Sequence, residues 1–192
     1  MTIDYLPVSW EEYHTYARVL AEKILTKKIH IKEIVAISRG GLTLGHLLTD
    51  LLHVPISVFT IQSYTDIQKQ GEVKITKPLA TPLDGKTVLL VDDVADRGTT
   101  LTRAIEYLNM FSPKKIHTLT MFYKPHSVYK PNFFADTTSA WILFPYEKTE
   151  MITNIINSMK KKKKSENEIQ QFLENLNYTK EQIAFVKKFY IK

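Results

Sequence analysis

Apolar residues recur along this chain in two rhythms. Short unbroken runs, Ile34-Val35-Ala36-Ile37 and Val88-Leu89-Leu90-Val91, have the length of strands buried on both faces. Elsewhere apolar residues return every three or four positions, as they do along one face of a helix: at Tyr13, Tyr16, Ala17, Leu20 and Ile24, at Leu44, Leu47, Leu48 and Leu51, and at Leu101, Ala104, Ile105 and Leu108. Ser9 and Glu12 make a capping-box pattern ahead of the first stripe. Pro55 to Ile61 and Ile116 to Tyr123 add strand candidates, and Ala140 to Pro145 reads as an edge strand. Alternating strands and helices predict an α/β domain with a central, mainly parallel sheet flanked by helices.

Two strand-to-helix junctions carry chemistry. The run Val88 to Val91 ends in Asp92 and Asp93, and Ala95-Asp96-Arg97-Gly98-Thr99-Thr100 then opens the third helical stripe. The first amides of a helix lack intrahelical partners, Gly98 permits close backbone approach, and two threonine hydroxyls add donors, so this loop can cradle a phosphate. Carboxylates repel phosphate. Asp92 and Asp93 would instead be satisfied by ribose hydroxyls, or by Mg2+ through its water. The run Ile34 to Ile37 repeats the pattern, leading through Ser38-Arg39-Gly40-Gly41 into the second stripe. Only four arginines occur, at 18, 39, 97 and 103, and two of them stand in these loops, where a rigid guanidinium fork matches phosphate oxygens. No G-x-x-x-x-G-K-[ST] occurs, which argues against a nucleoside-triphosphatase P-loop. A receiver-type module has no reason to follow its acidic residues with a Gly-Thr-Thr helix entrance.

The 192 residues, 44% hydrophobic and 24% charged, suffice for one globular domain and an appendage. The absence of cysteine excludes disulfides, thiolate metal sites and cysteine nucleophiles. The six histidines have no ligand spacing, and read as ordinary surface or core residues. The start has no basic and apolar signal-peptide regions, and no apolar run reaches bilayer length, so a soluble cytoplasmic protein is expected. Of the formal net charge of +6, residues 151–192 contribute +5 through nine lysines and four glutamates. Any nucleic-acid role would have to reside there.

The stretch 88–100 resembles the phosphoribosyl pyrophosphate (PRPP) signature of type I phosphoribosyltransferases. The order Ser-Arg-Gly-Gly, Ser-Tyr, Asp-Asp-x-x-Asp, Lys-Pro, Trp-Ile narrows the resemblance to the xanthine-guanine branch of 6-oxopurine enzymes, over roughly residues 30–147. The resemblance implies the type I phosphoribosyltransferase fold in residues 1–150, with a flexible hood near 62–82 carrying Ser63 and Tyr64. It implies a pyrophosphate loop at Ser38, Arg39, Gly40 and Gly41, ribose and Mg2+ contacts at Asp92 and Asp93, and a 5′-phosphate loop at Asp96, Arg97, Gly98, Thr99 and Thr100. It further implies that Lys124 donates to purine O6, that Trp141 stacks on the ring, and that the Ile142 backbone meets the ring edge. The implied reaction is Mg2+-dependent attack of purine N9 on C1′ of PRPP, releasing pyrophosphate, with Asp96 accepting a proton through N7. Arg97 stands where the family commonly has Thr, and Thr99 where it commonly has Gly.

Residues 151–192 fall outside that pattern. After the solvated run Lys160 to Lys164, capping boxes at Ser165/Glu168 and Thr179/Gln182 open two short amphipathic helices. Helices this short are unstable alone, so their apolar faces must dock on the core or on another subunit, and a dimer or tetramer is expected. Neither a membrane nor nucleic acid is expected as a partner. The alternative is a PRPP- or nucleotide-sensing regulator with the same core, whose basic tail binds nucleic acid.

Overall fold

A computed structural model describes residues 4–63 and 73–191. The elements are β1 (Tyr5–Pro7), α1 (Trp10–Thr26), β2 (Glu33–Ser38), α2 (Gly40–Leu52), β3 (Ile56–Ser63), β4 (Val73–Lys77), β5 (Thr87–Ala95), α3 (Thr99–Asn109), β6 (Lys115–Tyr123), β7 (Phe133–Thr137), β8 (Trp141–Leu143), α4 (Lys148–Lys161), α5 (Glu166–Asn175) and α6 (Lys180–Tyr190). They group into two compact units: His14–Ser139, and Met1–Tyr13 with Ala140–Lys192.

The larger unit holds a six-stranded sheet in the order β4-β3-β2-β5-β6-β7, parallel except for β4. The apolar runs in β2 and β5 are fully buried because both faces of the sheet are covered. Val35, Ile37, Val88 and Leu90 point to one face and pack with Phe59, Leu101, Ala104 and Leu108, the last three from α3. On the other face α2 lies so close that a Cβ on Gly45 would stand 2.8 Å from Ile56 Cδ1 and 3.0 Å from Ala36 Cβ. Tyr16 of α1 meets Phe122 of β6 edge to face, with ring centroids 5.2 Å apart.

Connections from β2 run toward β3, whereas those from β5 run toward β6 and β7. The chain therefore reverses direction across the sheet between β2 and β5, which pair from Glu33↔Val88 to Ala36↔Val91. At such a switch point the loops leaving two adjacent strands diverge and open a crevice at their carboxyl ends. The amino ends are closed instead by polar packing. Glu33, buried at the start of β2, accepts from Lys86 Nζ at 2.9 Å and from Ser57 Oγ at 2.7 Å.

Three elements depart from the sequence expectations. The strand carrying the acidic pair continues through Asp92, Asp93 and Val94 to Ala95, because β6 pairs with it as far as Ala95↔Tyr123. The edge of the main sheet is β7, whereas β8 forms a separate two-stranded parallel sheet with β1 (Tyr5↔Trp141, Leu6↔Ile142, Pro7↔Leu143). Helix α4 precedes the two expected tail helices and takes in Lys160 and Lys161.

Within the smaller unit α4 supplies what α5 and α6 need. Ile152, Ile155 and Ile156 of α4 form one core with Leu143, Ile169 and Leu173 of β8 and α5, and Ile183 and Val186 of α6. Both expected capping boxes are present, with Glu168 N donating to Ser165 Oγ and Gln182 N donating to Thr179 Oγ1 at 3.3 Å each. Lys160 and Lys187 both reach Glu166, and Lys164 reaches Glu168, so part of the basic run is matched by the unit's own acids.

Tyr178 buries its hydroxyl in this core with no hydrogen-bond partner among the described residues, and burial pushes that phenol above its ordinary value. Tyr178→Phe removes a desolvated polar atom while keeping the ring. It should raise stability by about 1 kcal/mol in urea unfolding.

Candidate active site at the sheet switch point

The crevice between β2 and β5 is built by close backbone approach. Gly40 opens α2 directly beside the acidic pair, where an added Cβ would sit 2.6 Å from Asp93 Cγ and 2.7 Å from Oδ1. A Cβ on Gly41 would strike the Val91 carbonyl, whose carbon would be 3.0 Å away. Only glycine lets the helix start this near the end of β5. The first Gly-containing loop and the acidic pair, far apart in sequence, thereby become neighbours at the carboxyl edge of the sheet. Arg39 is exposed at the N-cap of α2 with no side-chain cap, and the Ser38–Arg39 peptide is cis.

Asp92 is buried at 8% exposure and Asp93 is half-buried beside it. The Asp93 amide donates to Asp92 Oδ1 at 3.1 Å. Burial raises the Asp92 carboxyl well above its ordinary value and the neighbouring Asp93 charge raises it further; the Asp93 amide opposes both. Among the described residues no group of three or more His, Asp or Glu side chains could enclose a metal. Two adjacent carboxylates suit a cation that keeps most of its ligands as water and substrate oxygens, which is the habit of Mg2+.

Beyond β5 the chain turns through Asp96 and Arg97, both exposed, to Gly98. Gly98 caps α3 at φ 83°, and a Cβ there would meet Ser127 Oγ at 2.6 Å and Tyr129 N at 2.7 Å. Thr99 and Thr100 follow as the first residues of α3, and Gly98 makes no side-chain cap to their amides. The partner of this loop is the segment 124–129 after β6. Lys124 N donates to Ala95 O at 3.1 Å, and Val128 N donates to Arg97 O at 3.0 Å. Lys124 itself is buried at 7% exposure, with Nζ 3.4 Å from Ser139 O. Its position just past β6 brings it to the same sheet edge as Asp96.

The strap also carries a residue that the sequence reading passed over. His126 Nε2 lies 3.2 Å from Asp96 Oδ1. No spacing rule could have found it, because the pair spans 30 positions and depends on how the strap folds against the loop.

In the smaller unit Trp141 is 55% exposed and Ile142 is buried, on the strand held by β1 and by Trp141 N donating to Asp4 O at 2.7 Å. Trp141 is thus not a core residue. Ser63 closes β3, and Tyr64, with the rest of the segment 64–72, lies outside the described residues.

A family model described as the phosphoribosyl transferase domain matches residues 9–147, which include every element of the larger unit. The chain belongs to the phosphoribosyltransferase family. A xanthine-guanine phosphoribosyltransferase of Desulfotalea psychrophila is 33% identical over 144 residues, covering 73% of this chain and 85% of that protein. Among solved structures, a purine phosphoribosyltransferase from Pyrococcus horikoshii aligns with a TM-score of 0.69 and 30% identity, covering 75% of this chain and 94% of the other. The Helicobacter pylori xanthine-guanine-hypoxanthine phosphoribosyltransferase aligns with a TM-score of 0.67 and 25% identity, covering 74% and 94%. The central, mostly parallel sheet flanked by helices is therefore the type I phosphoribosyltransferase fold. No helix among the described residues is long and apolar enough to cross a membrane.

The acidic pair of this phosphoribosyltransferase carries a stability consequence. A carboxyl whose folded value is raised contributes stability that is fully present below its unfolded value, about 3.9, and lost as pH rises through the folded value. At neutral pH the buried Asp92 carboxyl is therefore a net cost to the stability of the apo protein. Asp92→Asn should unfold at higher temperature than the parent at pH 7 without divalent ions, by about 2–4 °C for each kcal/mol recovered. The difference should shrink toward pH 4, as measured by circular dichroism melts.

Proposed function

We propose that this chain is a Mg2+-dependent purine-salvage enzyme that transfers the 5-phosphoribosyl group of PRPP to N9 of a 6-oxopurine and releases pyrophosphate. The observation that carries this reading is the approach of Gly40 to Asp93, which sets an anion loop against an acidic pair in one crevice. A ligand with phosphates at two ends and a ribose diol between them meets both demands. The purine activities named for the Desulfotalea and Pyrococcus proteins support the same class.

Each residue then has a task. Thr99, Thr100 and the amides after Gly98 hold the 5′-phosphate at the α3 entrance, with Arg97 adding charge, so that C1′ stays in line with the attacking nitrogen. Asp92 and Asp93 receive the ribose hydroxyls and orient the waters of Mg2+. When bound, Mg2+ supplies charge stabilisation to the departing pyrophosphate. The Gly40 and Gly41 amides and the Arg39 guanidinium offer donors to the same leaving group, with Ser38 shaping the turn.

On the purine side Lys124 donates to O6. Asp96 accepts the proton that the purine loses as N9 becomes nucleophilic. Adenine is penalised because its 6-amino group is itself a donor and meets the Lys124 ammonium donor to donor. The core formed by α4, α5 and α6 is assigned a structural role, with self-association of the chain as its setting.

Nucleotide formation from PRPP and Mg2+ with guanine, xanthine, hypoxanthine and adenine offered separately tests this reading. Turnover with at least one oxopurine and little with adenine is expected, and chelation with EDTA should abolish it. Turnover with adenine alone, or with no base at all, would reject the assignment. Lys124→Ala should raise the oxopurine KM or lower kcat/KM by about 10–100-fold, with a smaller effect on the PRPP KM.

A further inference from the structure

We propose that His126 is the proton-sharing partner of Asp96, so that the base in phosphoribosyl transfer is an Asp96–His126 pair rather than a lone carboxylate. This inference rests on the reading of Asp96 as the proton acceptor and deepens it. An imidazole is a stronger base than a carboxylate and has a second ring nitrogen through which a proton can leave. His126 Nε2 stands 3.2 Å from Asp96 Oδ1, within reach of direct transfer.

The placement does not depend on the ion pair itself. Both side chains are more than half exposed, at 60% and 56%, so their attraction in water is worth little. Position comes from the backbone on either side of His126. Lys124 N is anchored to Ala95 O, Ser127 N closes a turn onto Lys124 O at 2.9 Å, and Val128 N is anchored to Arg97 O. Gly98 leaves no room for a Cβ between the loop and Ser127. These contacts bracket Asp96 in the loop and His126 in the strap, and hold the two facing each other.

The proton path balances. The purine N–H bond breaks as an O–H bond forms on Asp96, and within the same chemical step, before the ring nitrogen attacks C1′, that proton moves on to Nε2 of an imidazole protonated on Nδ1. The resulting imidazolium loses one proton to water, and exchange with solvent at the exposed ring restores the Nδ1–H tautomer. Asp96 is thereby restored as a carboxylate for the next turnover. His126 touches neither sugar nor base in this scheme and acts through Asp96.

The test is the single-turnover rate of nucleotide formation by the full chain with PRPP, Mg2+ and the fastest oxopurine. His126→Ala should slow it about tenfold, at the modest end of acid–base effects, with the PRPP KM unchanged. Added imidazole should restore much of the rate, and substituted imidazoles should rank by basicity. His126→Gln, which keeps a hydrogen bond but cannot carry the proton onward, should be as slow as the alanine variant. A wild-type rate in either variant overturns the proposal, as does a slowed alanine variant that imidazole leaves unmoved. Asp96→Asn separates the two layers. It should lose about 100-fold in rate while still binding PRPP. A wild-type rate in that variant removes Asp96 as the base, whereas a slow Asp96→Asn beside a wild-type His126→Ala removes only the partner.

Discussion

The site depends on a backbone contact that no side chain could make. Helix α2 begins against the carboxyl end of β5 because Gly40 and Gly41 present no Cβ to Asp93 and to the Val91 carbonyl. Backbone cannot yield as a flexible side chain can. The contact therefore fixes the width of the crevice and the distance between the anion loop and the acidic pair. Everything assigned to the substrate's two phosphates and its sugar follows from that spacing.

The acidic pair is a cost to the fold that the proposed chemistry would explain. Placing Asp92 and Asp93 side by side at the end of a buried strand raises the Asp92 carboxyl through desolvation and mutual repulsion. An apolar residue at 92 would suit the fold better. Extension of β5 to Ala95 keeps both carboxylates on a paired strand, where their geometry is rigid. Such preorganisation lowers the cost of ordering ligand and cation together.

The second organising contact is the strap 124–129 laid along the loop 95–98. It ties together residues to which the proposed reaction gives different tasks: Lys124 for purine O6, Asp96 for the proton and the helix entrance at Gly98. A change anywhere in the strap is thus felt at several points of the site. The smaller unit is built differently, from α4, α5 and α6 closing a core of their own with Leu143. Its lysines are partly engaged by Glu166 and Glu168, which weakens the case for the tail as a nucleic-acid surface.

Local patterns already determined much of this protein. The buried strands β2 and β5, the stripes of α1, α2 and α3, and all three capping boxes are short-range features whose physics lies within a few residues. The residue types of the two Gly-containing loops likewise marked two strand-to-helix junctions, at the ends of β2 and β5. Tertiary structure decided what local pattern could not. That β8 would leave the main sheet for β1, with β7 taking the edge, depends on pairing between segments more than 130 residues apart in one case. That α4 would extend into the lysine run depends on an apolar face that packs with α5, α6 and Leu143 of β8. Gly40 and Asp93, and His126 and Asp96, meet only because the chain reverses at the switch point and the strap folds back. Contacts of this kind are set by the packing of whole elements, and sequence spacing does not encode them.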